Sequence, residues 1–182
     1  LAMHTIPDSP EPERTTLLDE RLLATPAVAV QRAHEITCRM AQDAIEAFRI
    51  AVGLTSNFDE KEMERLRELE NETDHYEDAL GTYLVKLSGE RLAVDDNRRL
   101  NTLLFTISDF ERIADHAKDI GKAGREIKEK PVHFSEQAKG ELATLERAVG
   151  DILTQTVDAF ARRDLKSAAQ VESQEQVVDY LV

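Results

Sequence analysis

Only one cysteine stands among the 182 residues, and tryptophan is absent. A lone thiol excludes a disulfide framework within the chain and excludes a thiolate metal cage. Aromatics make up 5%, so any core has to be aliphatic. Basic residues are in deficit: 23 Lys and Arg stand against 36 Asp and Glu, a formal charge of -13. That balance argues against a nucleic-acid partner, which requires a basic face against phosphates. It suits a surface that keeps the chain in solution or collects cations. No apolar run reaches the roughly 18 residues that a membrane span needs. No basic-then-apolar leader opens the chain. Gly-rich phosphate loops, a Ser-His-Asp set and Cys-x-x-Cys are all missing, so no enzyme is expected. The chain starts at Leu1 rather than Met and stops at Leu181-Val182 inside an apolar-periodic stretch, which predicts a piece of a longer protein.

What is present is helix-forming composition. Three of the five prolines (Pro7, Pro10, Pro12) fall within the first twelve residues, among Asp, Glu, Ser and Thr, so residues 1–25 read as linker or tail. Between Pro26 and Pro131 there is no proline, and Ala, Leu, Glu, Arg and Lys dominate. The first helix should open at Thr25-Pro26, with Thr as cap and Pro at the first helical position, and stop near Gly53. A second should run from Ser56 or Asn57 to Ser88-Gly89, and a third from Asp95-Asp96 to Ile127. Residues 128–134 form a loop around Pro131, Ser135 opens a fourth helix that fades at Arg162-Arg163, and Asp164 caps a fifth that continues to the end.

Two of these helices carry long apolar seams. The second has Leu66, Leu69, Thr73, Tyr76, Leu80, Tyr83 and Leu87. The third has Leu100, Leu103, Ile107, Phe110, Ala114, Ala117, Gly121 and Gly124. Steps of three and four keep each set on one stripe, and short connections make neighbours antiparallel. The fold class expected is all-α, an antiparallel helix bundle. The third seam narrows to Ala and Gly, so a backbone or a ligand can approach there. An internal repeat is visible as well: Ile45-Glu46-Ala47-Phe48 resembles Val157-Asp158-Ala159-Phe160, and Glu70 to Asp74 resembles Glu175 to Asp179. Residues 26–127 then form one three-helix unit, and residues 128–182 begin a second that lacks its third helix.

Three acid-x-x-x-Asp pairs stand out: Glu70/Asp74, Glu111/Asp115 and Glu175/Asp179. Residues four apart share a helix face, so each pair can offer two carboxylates to one cation. Spacing alone is weak, because about a fifth of the residues are acidic and roughly seven such pairs arise by chance. Placement says more. Each acid directly follows a seam position, so all three pairs border the buried stripe on the same side. Like charges at this spacing cost a few tenths of a kcal/mol per pair and call for compensation, from Lys and Arg or from a metal. Salt-bridged bundle flanks are the common case.

The histidines add little. Glu72-x-x-His75 matches one of the two steps a ferritin-like di-iron bundle needs, and the second is missing. His34, a nominal phosphotransfer candidate, and His116 read as structural or exposed, and Cys38 as a small core residue.

The run from Asp109 through Phe110-Glu111-Arg112-Ile113-Ala114-Asp115-His116-Ala117 to Ile120 resembles the signature of PhoU-like domains, with Ala114 where that family has Gly. Glu70-Asn71-Glu72-Thr73-Asp74 matches the acid motif on the family's preceding helix, and Glu175 to Asp179 matches the second repeat's. The segment from Leu18 to Ala29 is similar to the stretch after the last membrane helix of bacterial sodium/phosphate cotransporter-like proteins. The resemblance implies two three-helix repeats, the second incomplete here, and a regulatory domain of phosphate uptake on the cytoplasmic side of the inner membrane. It implies iron, zinc, manganese or magnesium at Glu70, Asp74, Glu111 and Asp115, with Glu175 and Asp179 from the second repeat and Asp109 as a weaker candidate. The partners it implies are the chain's own membrane transporter domain or a phosphate transporter or sensor protein, with a homodimer left open. The rival readings are a metal-free helical interaction module and, behind it, a ferritin-like di-iron protein.

Overall fold

A computed structural model of the protein describes residues 18–130 and 133–181. A 3-10 helix (Glu20–Ala24) leads into five α-helices: α1 (Pro26–Ser56), α2 (Glu60–Ser88), α3 (Val94–Glu129), α4 (Glu136–Arg162) and α5 (Leu165–Asp179). Among the described residues there is no strand, so the expected all-α class holds. The expected tail lies outside the described residues up to position 17, together with Pro7, Pro10 and Pro12. Its remainder is the 3-10 helix, which Asp19 caps by accepting from the Arg21 backbone N–H at 2.9 Å.

Local chemistry sets most boundaries. Ser135 Oγ accepts from the Ala138 N–H at 3.1 Å, and Asp164 Oδ1 accepts from Lys166 and Ser167 at 3.0 and 3.2 Å, so α4 and α5 open at the expected caps. Between those two helices Arg163 takes a left-handed conformation (φ 54°) and ends α4.

The α1–α2 junction differs from expectation. Gly53 does not stop α1, which runs another turn to Ser56. Leu54, 2% exposed, packs into the core just past it, and that burial outweighs the roughly 1 kcal/mol a helical glycine costs. Ser56 and Asn57 are thereby used up at the end of α1. Asp59 caps α2 instead, accepting from Lys61 and Glu62 at 2.7 and 3.3 Å. Thr25 contributes its carbonyl rather than its side chain, accepting from Val28 and Ala29. The fifth helix ends at Asp179, where Tyr180 folds its N–H back to Val178.

The helices α1, α2 and α3 pack on one another as a three-helix unit; α4 lies on α1, and α5 on α4. Every seam residue expected on α3 is buried, from Leu100 to Gly124. On α2 the seam is buried except at Tyr76, which is half-buried against the same core. The narrow end of the α3 seam is where α1 comes closest. A Cβ on Gly124 would sit 2.5 Å from the Leu54 carbonyl oxygen, and one on Gly121 would sit 2.5 Å from Leu66 Cδ2. The α1 backbone fills the space that Gly124 leaves, and side chains of Leu66, Met63 and Leu54 fill the space at Gly121. The repeated tetrad recurs in burial as well. Ile45 and Ala47 are buried on α1, and Val157 and Ala159 are buried on α4. Phe48 and Phe160 both pack against the core margin.

Candidate functional site

Antiparallel packing of α2 on α3 slides one acid pair past the other. Glu70 and Asp74 on α2 meet Glu111 and Asp115 on α3 along the border of the core. Glu70 is 6% exposed, deep for a carboxylate. Asp74 and Glu111 each hold their proton more tightly than an ordinary carboxylate. Asp74 is an exposed residue, and the first cause there is partial desolvation against α3, then the charge of Glu70. For Glu111 the first cause is burial, then the charges of Glu77, Asp74 and Asp115. The charges of the two pairs are thus felt across the α2–α3 boundary.

Two members of this cluster were missed from the sequence. Glu77, one turn beyond Asp74, faces Glu111 and accepts a hydrogen bond from Ser108 Oγ at 2.6 Å. Lys118 lies one turn beyond Asp115. Its ammonium donates to Glu70 and stands 3.7 Å from Asp115 Oδ1. Glu70 holds the Lys118 ammonium above its ordinary pKa, mainly through that hydrogen bond. The signal was present in the i, i+3 step from Asp115 to Lys118, which places the lysine on the acid face. Further along the same border Arg125 pairs with Glu60 at 2.5 Å, so cations brace the end of the α2–α3 seam beyond the cluster.

The remaining candidates stay apart. Glu175 and Asp179 are exposed on α5, which packs on α4. Asp109 is exposed on α3. His75 is exposed, its Nδ1–H donating to the Asn71 carbonyl at 2.6 Å, a local bond that serves no di-iron step. His116 is exposed too. His34 is buried: its Nε2–H donates to the Ala161 carbonyl at 3.3 Å, and its ring packs on Phe160 at 5.0 Å. Burial, with help from Arg163, holds its imidazole below the ordinary pKa. Cys38 is half-buried with its Sγ 3.7 Å from His34 Nε2, and burial raises its thiol pKa. His34 ties α1 to the end of α4.

Hard carboxylate oxygens are the right donor type for iron, manganese, magnesium or zinc. Their arrangement is another matter. Among the described residues no three His, Cys, Asp or Glu side chains are grouped to hold one ion. Lys118 already places one positive charge against Glu70 and within ion-pair reach of Asp115. The residues present therefore do not fit a metal centre as they are placed.

A groove of about 830 Å³ runs between α3 and the α4–α5 pair. Leu103, Phe110, Ile113 and Phe160 give it an apolar floor. Its rim mixes Arg98, Arg99 and Arg163 with Asp95, Asp109 and Asp164. Arg98 and Arg99 are answered by Asp95 and Asp96 at 3.4 and 3.6 Å. The rim thus selects neither sign of charge.

Three packed helices with a charged seam between α2 and α3 define a helical-bundle domain. Residues 30–123, just over half of the chain, match the PhoU domain, and the protein belongs to that family. The family is a regulatory one associated with phosphate uptake. The match spans the three-helix unit and both acid motifs of the cluster. Comparison with curated proteins and with solved structures gives no match. No described helix is long and apolar enough to cross a membrane.

Proposed function

We propose that the protein is a regulatory domain of phosphate uptake, attached in its parent chain to a sodium/phosphate cotransporter-like membrane domain on the cytoplasmic side. The observation that carries this reading is the family match over α1 to α3, reinforced by the lead-in segment from Leu18 to Ala29. The domain transmits its signal by contact with that membrane domain, or with a separate phosphate transporter or sensor. The α2–α3 cluster is the part of the three-helix unit whose geometry depends most on charge, so it is where a change of partner or ion would be felt.

Iron, zinc, manganese or magnesium at Glu70, Asp74, Glu111 and Asp115 is a separate proposition. The donor chemistry supports it; the contacts of Lys118 support a charge supplied by the protein instead. The second contact favours the metal-free reading of the same domain.

Radiolabelled phosphate uptake by cells producing the parent protein tests the regulatory role. A Glu111→Gln/Asp115→Asn pair is expected to change the uptake rate or its response to phosphate starvation while the protein level stays constant. Unchanged uptake with this pair, and also after deletion of residues 26–181, would reject the reading.

A further inference from the structure

We propose that Lys118 is the resident cation of the α2–α3 carboxylate cluster, so that the junction between these helices is held without a metal ion. Three observations converge on it. Glu70 is the acid most removed from water in this cluster, and a buried carboxylate must be paired or protonated. The Lys118 ammonium donates directly to it, across the helix–helix boundary. The same ammonium lies within ion-pair reach of Asp115, so one cation links one acid from each of the two motifs. Linking the two acid motifs through a shared positive charge is the structural task a bound ion would perform. An ammonium does it as a point charge on a flexible stem, with three donors and no demand on coordination geometry. The absence of a three-donor grouping among the described residues is then a consequence: the acids are arranged about a lysine.

The inference stands whether or not phosphate uptake responds to the domain, because its test reads only stability and bound metal. The full 182-residue chain is melted with and without a chelator, and with millimolar manganese or zinc chloride. Lys118→Met, Lys118→Arg, Glu70→Gln and the Glu70→Gln/Lys118→Met pair are melted alongside. The wild-type midpoint should ignore chelator and metal, and elemental analysis of chelator-free preparations should find no stoichiometric metal. Lys118→Met should melt about 4–8 °C lower, because it strands a buried carboxylate. Lys118→Arg should recover at least half of that loss. The double variant should lose less than the two single losses added together, a coupling that packing of the lysine stem alone would not produce. A wild-type midpoint that falls on chelation or climbs with metal would overturn the proposal. So would additive losses, or an arginine variant no better than the methionine one.

Discussion

At the scale of single residues, the closest approach in the fold is the most exacting. Gly124 faces the Leu54 carbonyl, and a methyl there would sit 2.5 Å from an oxygen fixed in the α1 backbone. Gly121 faces the end of the Leu66 side chain, which can rotate away. Alanine gains up to about 1 kcal/mol of helix propensity over glycine. At Gly124 the clash is with backbone, so overpacking of about 1–3 kcal/mol wins. Gly124→Ala is therefore expected to lower unfolding free energy in urea titrations, and Gly121→Ala to lower it less or leave it unchanged. Equal losses at both sites would mean that the helices re-space as rigid bodies. The small residues at these positions were legible because they continue the three-and-four stepping of the seam. The role of Lys118 was not, since a lysine inside a signature looks like any solvated charge until the opposite helix is placed against it. Glu77 escaped for the same reason: its neighbours Glu111 and Ser108 lie on another helix.

Elements differ in how firmly they are held. Thirteen residues of α1 are buried, nine of α2 and eight of α3, against two of α4 and none of α5. Opening free energy follows buried contact, so protection should fall in that order. Hydrogen exchange read by mass spectrometry should find the slowest amides in the middle of α1, α2 and α3. Amides of α5 should exchange with far less protection, and those of α4 should lie between, slowest near Val157 and Ala159. Uniform protection across all five helices would refute this gradient. The same contrast explains what the sequence could convey about the elements. Helix number, order and the α4 and α5 caps follow from Pro, Ser and Asp placement, because capping is a contact between residues two or three apart. The α1–α2 junction was misplaced because Gly53 acts as a stop only when the next turn has nothing to bury, and Leu54 has the core. The acid pairs on α2 and α3 come together because both border seams that meet. The α5 pair, expected in the second repeat, is exposed on a helix that packs on α4.

For the molecule as a whole, the surplus of acid sets how it answers to salt. A charge of -13 on a chain of this size repels itself in the compact state more than in the expanded one. Against that stand the surface ion pairs, most of them between residues three or four apart on one helix, such as Arg67–Glu64, Lys122–Asp119 and Lys139–Glu136. Exposed pairs of this kind contribute about 0–1 kcal/mol each, and many contribute nothing measurable. They act over contact distance, inside the Debye length of about 10 Å at 0.1 M salt, and are screened only in part. The repulsion among unpaired carboxylates acts over longer separations and is screened first. Added sodium chloride should therefore raise the melting midpoint between low and physiological ionic strength. The rise should be largest near pH 8 and fade as pH approaches the isoelectric point near 4.8, where the surplus charge vanishes. Thermal melts across a salt series at two pH values decide it. A midpoint that falls with salt at pH 8 would mean that the interhelical pairs Arg125–Glu60, Arg65–Glu46 and Lys118–Glu70 outweigh the repulsion, and the bundle would then be held by its charges rather than in spite of them.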